Sequence, residues 1–151
     1  GVVTLHFPFG PAPFRFHAQW VDGVRVVLAD APPFFARERL YGYADDARRF
    51  AAFSMAALAW AQEAGFEADV VQANDWQTGL VPLALKRGYA HTPLGRAASV
   101  FTIHNLAYQG TFPKKEVAAL GLPTLWVQEG GYATEAIGRN VVGVLRGFEQ
   151  A

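Results

Sequence analysis

The segment Asp69-Val70-Val71-Gln72-Ala73-Asn74-Asp75-Trp76-Gln77-Thr78-Gly79 begins as a short apolar run and continues as a polar loop that ends in glycine. Residues 69–73 predict a short buried strand. Residues 79–86 predict a helix with Thr78 as its cap and Pro82 in the first turn, where a missing amide is tolerated. The segment therefore predicts a strand whose end is marked by polar side chains.

A longer helix is predicted at residues 45–64, because apolar residues recur there at three- and four-residue steps. Its candidate N-cap residues are Asp45 and Asp46. Gly65 is placed to end the helix. Arg48 and Arg49, near its start, are expected to face solvent, while its many alanines are expected to pack closely on a sheet.

A second strand is predicted at residues 99–103, and it leads into His104 and Asn105. Helix, strand, helix and strand in this order are typical of an α/β fold with a parallel sheet and crossover helices. Both polar loops then follow the carboxyl ends of parallel strands. Ligands bind at that edge in open sheets of this class.

Ahead of these elements the sequence predicts a β-hairpin. Residues 14–21 alternate between apolar and polar side chains, and Asp22-Gly23 separates them from a second run at residues 24–29. We expect the second strand to be well buried. Pro32-Pro33 is expected to break regular structure, and residues 34–43 to form a loop.

The two ends of the chain carry weaker patterns. Residues 1–7 lack a Met start and a basic region ahead of an apolar core, so they do not resemble a signal peptide, and we expect the chain to begin partway through a domain. Residues 114–120 predict a short helix that residues 121–123 stop. A weakly amphipathic run follows at residues 136–145.

Composition limits the possible functions. The 151 residues are 52% hydrophobic, which is enough for one domain with a buried core. Thirteen basic residues balance thirteen acidic ones, so no overall charge favours nucleic acid or an anionic membrane as a partner. Apolar runs fall short of the roughly 20 residues that span a bilayer. Without cysteine, thiolate catalysis and cysteine-bound metals are excluded, and we expect a cytoplasmic protein.

The first polar loop offers a carboxamide, a carboxylate and an aromatic ring at consecutive positions, Asn74, Asp75 and Trp76. Proteins hold sugars with such groups, because polar atoms match the hydroxyls while an aromatic ring covers the CH face. An unpaired polar group in a buried site would cost roughly 1–3 kcal/mol. The alternative is that Asp75 caps a helix and Trp76 fills the core.

The second loop offers His104 and Asn105, followed by Tyr108, Gln109 and Gly110. A neutral imidazole both donates and accepts, so His104 can bond a sugar hydroxyl without adding charge. The alternative is a structural histidine satisfied by nearby backbone. Tyr108 and Gln109 are candidates for positioning this loop, while Gly110 simply ends a turn in the plainer interpretation.

Other catalytic patterns do not occur in the sequence. Ser54 and Ser99 lack the glycine spacing of a nucleophile elbow. The four histidines lack the helical spacing with an intervening Glu that is typical of zinc sites, so no metal is expected. There is neither a phosphate-binding glycine loop with lysine nor a dinucleotide fingerprint.

Three strings closely resemble the bacterial glycogen synthase and plant starch synthase family. The most specific is Ile103-His104-Asn105-Leu106-Ala107-Tyr108-Gln109-Gly110. The second is Ala73-Asn74-Asp75-Trp76-Gln77-Thr78-Gly79-Leu80. The third combines Leu40-Tyr41-Gly42-Tyr43 with residues 45–50, and the resemblance extends from about residue 24 to residue 130.

The resemblance implies a retaining glycosyltransferase of the GT-B class, with two Rossmann-like domains, that moves glucose from ADP-glucose to the non-reducing end of an α-1,4-glucan. By resemblance, Asp75 is the carboxylate near the donor and acceptor cleft, and His104 contacts the transferred glucose. Asn105, Tyr108 and Gln109 belong to the same substrate-binding loop, beside Asn74 and Trp76. ADP-glucose is a substrate in this interpretation, and no further cofactor or metal is expected.

The sequence also departs from the family. Residues 1–23 contain no counterpart of the family's Lys-Thr-Gly-Gly loop, the C-terminal nucleotide-binding domain is missing, and the pattern drifts after residue 130. We therefore expect residues 1–151 to be a partial N-terminal domain, truncated at both ends and inactive alone. The alternative is a catalytically inactive remnant that at most binds glucan weakly. The sequence does not indicate an oligomeric state.

Overall fold

In the computed structural model, which describes residues 1–105 and 107–113, the chain opens with a three-stranded antiparallel sheet. Its strands are β1 (Val2–Phe7), β2 (Gly10–Val21) and β3 (Val24–Asp30), with β2 in the middle. Sequence analysis did not predict β1. Alternate residues of β1 nevertheless turn toward the core, where Val3 lies opposite Phe14 of β2.

The hairpin between β2 and β3 is confirmed. Asp22 and Gly23 have φ values of 49° and 78°, as a two-residue turn of the primed type requires, and Val21 pairs with Val24. The prediction that β3 is well buried is wrong, since Leu28 of that strand is 55% exposed. Of the described strands only β2 pairs with β3, so β3 lies at an edge of the sheet.

Pro32-Pro33 begins a helix where a break was predicted. Helix α1 spans Pro32–Phe35, with proline at the first positions, where the fixed φ suits a helix and the missing N–H has no intrahelical partner. Residues 36–45 then run without a strand or an α-helix, in agreement with most of the predicted loop.

The long helix is confirmed as α2, Asp46–Glu63. Gly65 has a φ of 62°, and the N–H groups of Gly65 and Phe66 donate to the carbonyls of Gln62 and Ala61, which is the Schellman pattern. Asp45 occupies the N-cap position, but its side chain bonds no helix N–H. Its carboxylate instead accepts two hydrogen bonds from Arg37, at 2.6 and 2.7 Å.

The expectation that Arg48 and Arg49 face solvent is wrong. Arg49 is only 1% exposed, and Arg48 is half-buried. Burial of a guanidinium is tolerated when its charge is paired and its N–H groups are bonded. The charge of Arg49 is paired with the Asp46 carboxylate, whose Oδ1 lies 3.3 Å from Nε without a hydrogen bond between the two atoms, and its Nη1 and Nη2 donate to two backbone carbonyls.

Helix α2 packs against both parts of the fold. Its small residues Ala52 and Ala56 contact the phenylalanines of β2, and Leu58 joins a second core cluster with Ala73 and Leu85. Alanine at these positions lets the helix approach the sheet closely, as its sequence predicted. The antiparallel sheet and the parallel strands therefore share one helix.

The predicted strand–helix–strand unit is confirmed. Strand β4 (Val70–Asn74) pairs in parallel with β5 (Ala98–Thr102), and helix α3 (Val81–Gly88) lies between them in the chain. One-turn 3-10 helices occur at Trp76–Thr78 and Leu94–Arg96. Pro82 lies in the first turn of α3 as expected. In β4 only Ala73 is buried, so that strand is less enclosed than predicted.

The roles of Thr78 and of helix α2 differ from the prediction. Thr78 does not cap α3, since its hydroxyl donates to the carbonyls of Asn74 and Asp75. Helix α2 is not a crossover between parallel strands, because β3 before it and β4 after it belong to different sheets. The predicted α/β class and the predicted parallel pair of strands are confirmed.

The helices predicted at residues 114–120 and 136–145 lie outside the described residues. Among the helices that are described, none is long and apolar enough to cross a membrane.

Candidate active site

The two polar loops meet at the carboxyl edge of the parallel pair. Asn74 at the end of β4 lies opposite Thr102 at the end of β5, and the backbone N–H of Asp75 donates to the Thr102 carbonyl at 2.8 Å. This bond extends the pairing one residue beyond the strands. It places Asp75 and His104 next to each other although 29 positions separate them in the chain.

The Asp75 carboxylate holds His104 through two contacts. Oδ1 accepts the backbone N–H of His104 at 2.7 Å, and Oδ2 lies 3.1 Å from the ring Nδ1. The bond from the His104 backbone N–H is the main reason that the pKa of Asp75 lies below its ordinary value. An ionised carboxylate only accepts, so Nδ1 carries the proton of the contact and Nε2 of a neutral ring is an acceptor.

The backbone of Asp75 is strained. Its φ of 59° and ψ of 176° lie in a region that is populated almost only by glycine. Thr78 helps to hold this geometry, because its backbone N–H and its hydroxyl both donate to the Asp75 carbonyl. Strain of this kind costs of order 1–3 kcal/mol and clusters at functional sites. The predicted alternative of Asp75 as a side-chain helix cap is not found.

Trp76 is half-buried in a cluster of aromatic rings. Phe50 of α2 and Tyr41 meet its ring edge-on, with centroids 5.0 and 6.2 Å away, and the Phe112 ring lies tilted at 5.4 Å. Tyr108 contacts Tyr41 in turn. Pairs of this geometry contribute roughly 0.5–1.5 kcal/mol each beyond area burial. Trp76 thus fills space, as the plainer interpretation held, and also forms a wall.

That wall belongs to an open groove with a volume of about 600 Å³. The lining residues are 41–44, Asp46, Trp76 and 107–113. Asp75 and His104 are not in the lining, and they adjoin the groove because Asp75 directly precedes Trp76. Sugar-binding sites need this combination of an aromatic wall and nearby polar groups.

Gly110 lets the second loop approach Trp76. It has a φ of 58°, and a Cβ at this position would lie 2.5 Å from the Trp76 ring. Both the backbone conformation and the space require glycine. Gly110 therefore does more than end a turn.

Of the remaining predicted site residues, some line the groove and others bond within their own segment of the chain. Tyr108 and Gln109 are exposed and line the groove. The Asn105 side-chain oxygen accepts the N–H of Ala107 at 3.0 Å, which makes it a brace of the loop. Asn74 is exposed, and its Oδ1 lies 3.5 Å from the amide nitrogen of Gln72.

Sequence analysis missed Tyr41 and Phe112 as members of the site. Tyr41 stands in the string Leu40-Tyr41-Gly42-Tyr43 that carries part of the family resemblance, which was the available signal. Phe112 follows the most specific string by two positions and carried no signal of its own. In the described part of the chain, no cluster of three or more His, Asp or Glu side chains could hold a metal ion.

A smaller, mostly apolar pocket with a volume of about 300 Å³ lies elsewhere, between α2 and α3. Met55, Leu83 and Tyr89 are among its lining residues. It contains none of the predicted site residues. The polar pair and the aromatic groove are therefore the better candidate for chemistry.

Comparison with known proteins identifies the family. The sequence profile described as “Starch synthase catalytic domain” matches residues 2–140, which extends beyond residues 24–130 at both ends. Glycogen synthase of Myxococcus xanthus (strain DK1622) is 50% identical over 128 residues, covering 80% of this chain and 27% of the relative. Glycogen synthase of Moorella thermoacetica is 45% identical over 101 residues, covering 66% of this chain and 21% of that protein.

A solved structure agrees with this result. The catalytic domain of Starch Synthase IV from Arabidopsis thaliana, bound to ADP and acarbose, superposes with a TM-score of 0.72 at 35% identity. The match covers 82% of this chain and 26% of that one, so the chain spans about a quarter of the length of such relatives. The chain belongs to the starch synthase catalytic domain family, the glycosyltransferases that include glycogen synthases and starch synthases.

Proposed function

We propose that residues 1–151 are part of the N-terminal, acceptor-side domain of an ADP-glucose-dependent glycogen synthase. The parent enzyme would transfer glucose from ADP-glucose to the non-reducing end of an α-1,4-glucan with retention of the anomeric configuration. The observation that carries the proposal is the Asp75–His104 pair beside the Trp76 groove, in a chain of this family. A cytoplasmic location is part of the same proposal.

His104 is proposed to contact the transferred glucose. Asp75 holds the ring at Nδ1, which leaves Nε2 as the atom available to a sugar hydroxyl. The His104 side chain is 62% exposed, so it is open to a substrate. An ionised Asp75 nearby favours the positive charge that develops at an oxocarbenium-like centre.

The groove is proposed to hold the glucan. Trp76, Tyr41 and Tyr108 offer ring faces and edges to the CH groups of sugars, and Gln109 offers an amide to their hydroxyls. The Arabidopsis enzyme was solved with ADP and acarbose bound, which supports a glucan-like and a nucleotide ligand for this family. ADP-glucose enters as a substrate, and the proposal requires no other cofactor.

Catalysis by the 151 residues alone is not expected. Groups that stabilise a leaving diphosphate account for a large part of the rate enhancement in such transfers. By the family resemblance, those groups lie in the C-terminal domain, and this chain spans about a quarter of the length of its relatives. The second candidate function is a catalytically inactive remnant that at most binds glucan weakly, and the aromatic groove is the observation that supports it.

The test measures incorporation of labelled glucose from ADP-glucose into glycogen. One sample is the 151-residue chain, and another is a chimera in which this chain replaces the matching part of the Myxococcus xanthus enzyme, with that unmodified enzyme as control. Elongation by the chimera but not by the chain alone is the expected result. A chimera that folds but does not elongate would favour the inactive remnant.

A further inference from the structure

Arg49 is the largest fully buried side chain among the described residues, and the chemistry proposed above does not use it. Its guanidinium lies over three aromatic rings, with distances to their centroids of 4.7 Å for Phe50, 5.0 Å for Phe35 and 5.3 Å for Tyr43. A buried charge held among rings and carbonyls is costly unless each contact contributes. The buried Arg49 guanidinium therefore does more than fill the core.

The donors of Arg49 reach two backbone carbonyls, one in α1 and one in the segment that leads from α1 to α2. Nη1 donates to the Phe34 carbonyl at 3.2 Å, and Nη2 donates to the Leu40 carbonyl. Asp46, which pairs with Arg49, accepts the N–H of Gly42 at 2.5 Å through its other oxygen. The Asp46–Arg49 pair thus fixes the backbone on both sides of Tyr41.

Tyr41 is the residue that this anchoring presents to the groove. Its ring meets Trp76 at 6.2 Å and Tyr108 at 6.3 Å, and it lies between the two anchored positions, Leu40 and Gly42. Arg49 reaches Trp76 by a second route, because Phe50 contacts both the guanidinium and the Trp76 ring. Both routes end at the aromatic wall.

We propose that Arg49, paired with Asp46, is a positioning residue that holds Tyr41 and Trp76 in the arrangement that binds glucan. Arg49 touches no substrate and acts through the carbonyl of Leu40 and the ring of Phe50. This inference rests on the proposed function for its role in glucan binding. Its structural part, the anchoring of Tyr41, stands independently of that function.

The experiment compares four proteins: the wild type, Arg49→Lys, the double variant Asp46→Asn/Arg49→Met, and the control Arg96→Met. The double variant removes both charges together, so no buried ion is left unpaired, and the asparagine introduced in place of Asp46 still has an oxygen for the Gly42 N–H. Lysine keeps the charge but cannot reach two carbonyls with a planar fork. Arg96 is exposed and lies in the 3-10 helix before β5.

The first readout is nuclear magnetic resonance of the 151-residue chain. Ring-proton contacts between Tyr41 and Trp76 should weaken in the double variant, and the Arg39 amide, which donates to the Tyr43 hydroxyl, should exchange with solvent about tenfold faster. Amides of Ala52 and Ala56 in α2 should keep their protection. Unchanged ring contacts and exchange in a folded double variant would overturn the proposal.

The second readout uses the chimera and separates KM from kcat. The double variant should raise the KM for glycogen on the order of tenfold and change kcat far less, with Arg49→Lys intermediate and Arg96→Met unchanged. A fall in kcat and melting temperature at an unchanged KM would instead show a merely structural arginine. Failure of the wild-type chimera to elongate glycogen would sink the proposed function alone, since the resonance readout tests the anchoring of Tyr41 separately.

Discussion

Asp75 binds His104 twice, through the backbone N–H at 2.7 Å and through the ring Nδ1 at 3.1 Å. The first bond holds the backbone of His104 at the start of the second loop, directly after β5. The second bond fixes the rotation and the tautomer of the ring. A single carboxylate therefore sets both the position and the protonation pattern of the imidazole. Substitutions of Asp75 and of His104 should therefore have different effects.

Substitution of His104 should reduce turnover far more than stability. His104→Ala removes both ring nitrogens, while His104→Asn keeps a donor that can reach Asp75 but loses the acceptor at Nε2. Both variants of the chimera should lose on the order of a hundredfold in kcat. Because the side chain is 62% exposed, the free energy of unfolding should fall by less than about 1 kcal/mol.

Steady-state kinetics and thermal unfolding check this expectation, with His91→Ala as a control at an exposed histidine outside the site. If His104→Asn kept wild-type turnover, Nε2 would have no role and the contact with Asp75 would be its only one. Parallel losses of activity and melting temperature would mark His104 as structural.

Asp75→Gly should be more stable than Asp75→Ala. Both variants remove the carboxylate, so they differ mainly in the cost of a φ of 59° for a residue with a Cβ. We expect a difference of about 1 kcal/mol, because glycine also loses more entropy on folding. Urea unfolding of the 151-residue chain measures it, and a more stable Asp75→Ala would contradict strain at this position. Neither variant should support elongation in the chimera.

Sequence patterns predicted the helices and turns that depend on residues close together in the chain. The 3.6-residue period of α2, the Asp22-Gly23 turn and Gly65 all gave the observed structure, since each depends on residues close in the chain. Burial was harder to predict. The apolar run of β3 predicted a well-buried strand, but its position at the edge depends on which strands pair with it.

The site was predictable to the same extent. Asp75 and His104 were expected at one sheet edge because parallel strands bring their carboxyl ends together, and the 2.7 Å bond confirms that they meet. Arg49 was expected to face solvent near the start of an amphipathic helix. Its true location depends on carbonyls and rings from residues 34–43, a segment whose path no periodicity describes.

Gly110→Ala should displace the second loop from Trp76. The added Cβ would lie 2.5 Å from the ring, and alanine is also strained at a φ of 58°. Gly65→Ala is the matched control, because its φ is 62° and its Cβ would meet nothing within 4 Å. The indole N–H signal of Trp76 should shift in the first variant and stay in place in the second.

The same pair of variants separates strain from contact. Each should lose about 1 kcal/mol or more of unfolding free energy from the backbone conformation alone. In the chimera, only Gly110→Ala should also raise the KM for glycogen. Equal effects of both variants on the Trp76 signal would show that the loop does not depend on the close approach.

The Arg37–Asp45 pair should make stability depend on pH at the acidic end. The hydrogen bonds from Arg37 hold the pKa of the Asp45 carboxyl below its ordinary value. Its contribution is therefore present above the unfolded pKa and is lost as the pH falls through the lower folded pKa. The Asp45 side chain is 41% exposed, so the contribution should not exceed about 1 kcal/mol.

Urea unfolding measures this contribution. The free energies of unfolding of the wild type and Asp45→Asn should differ at pH 7 and converge in acid. The control Asp69→Asn, which is away from Arg37, should not reproduce that pattern. A constant difference at every pH would mean that the carboxylate charge contributes nothing to the pair.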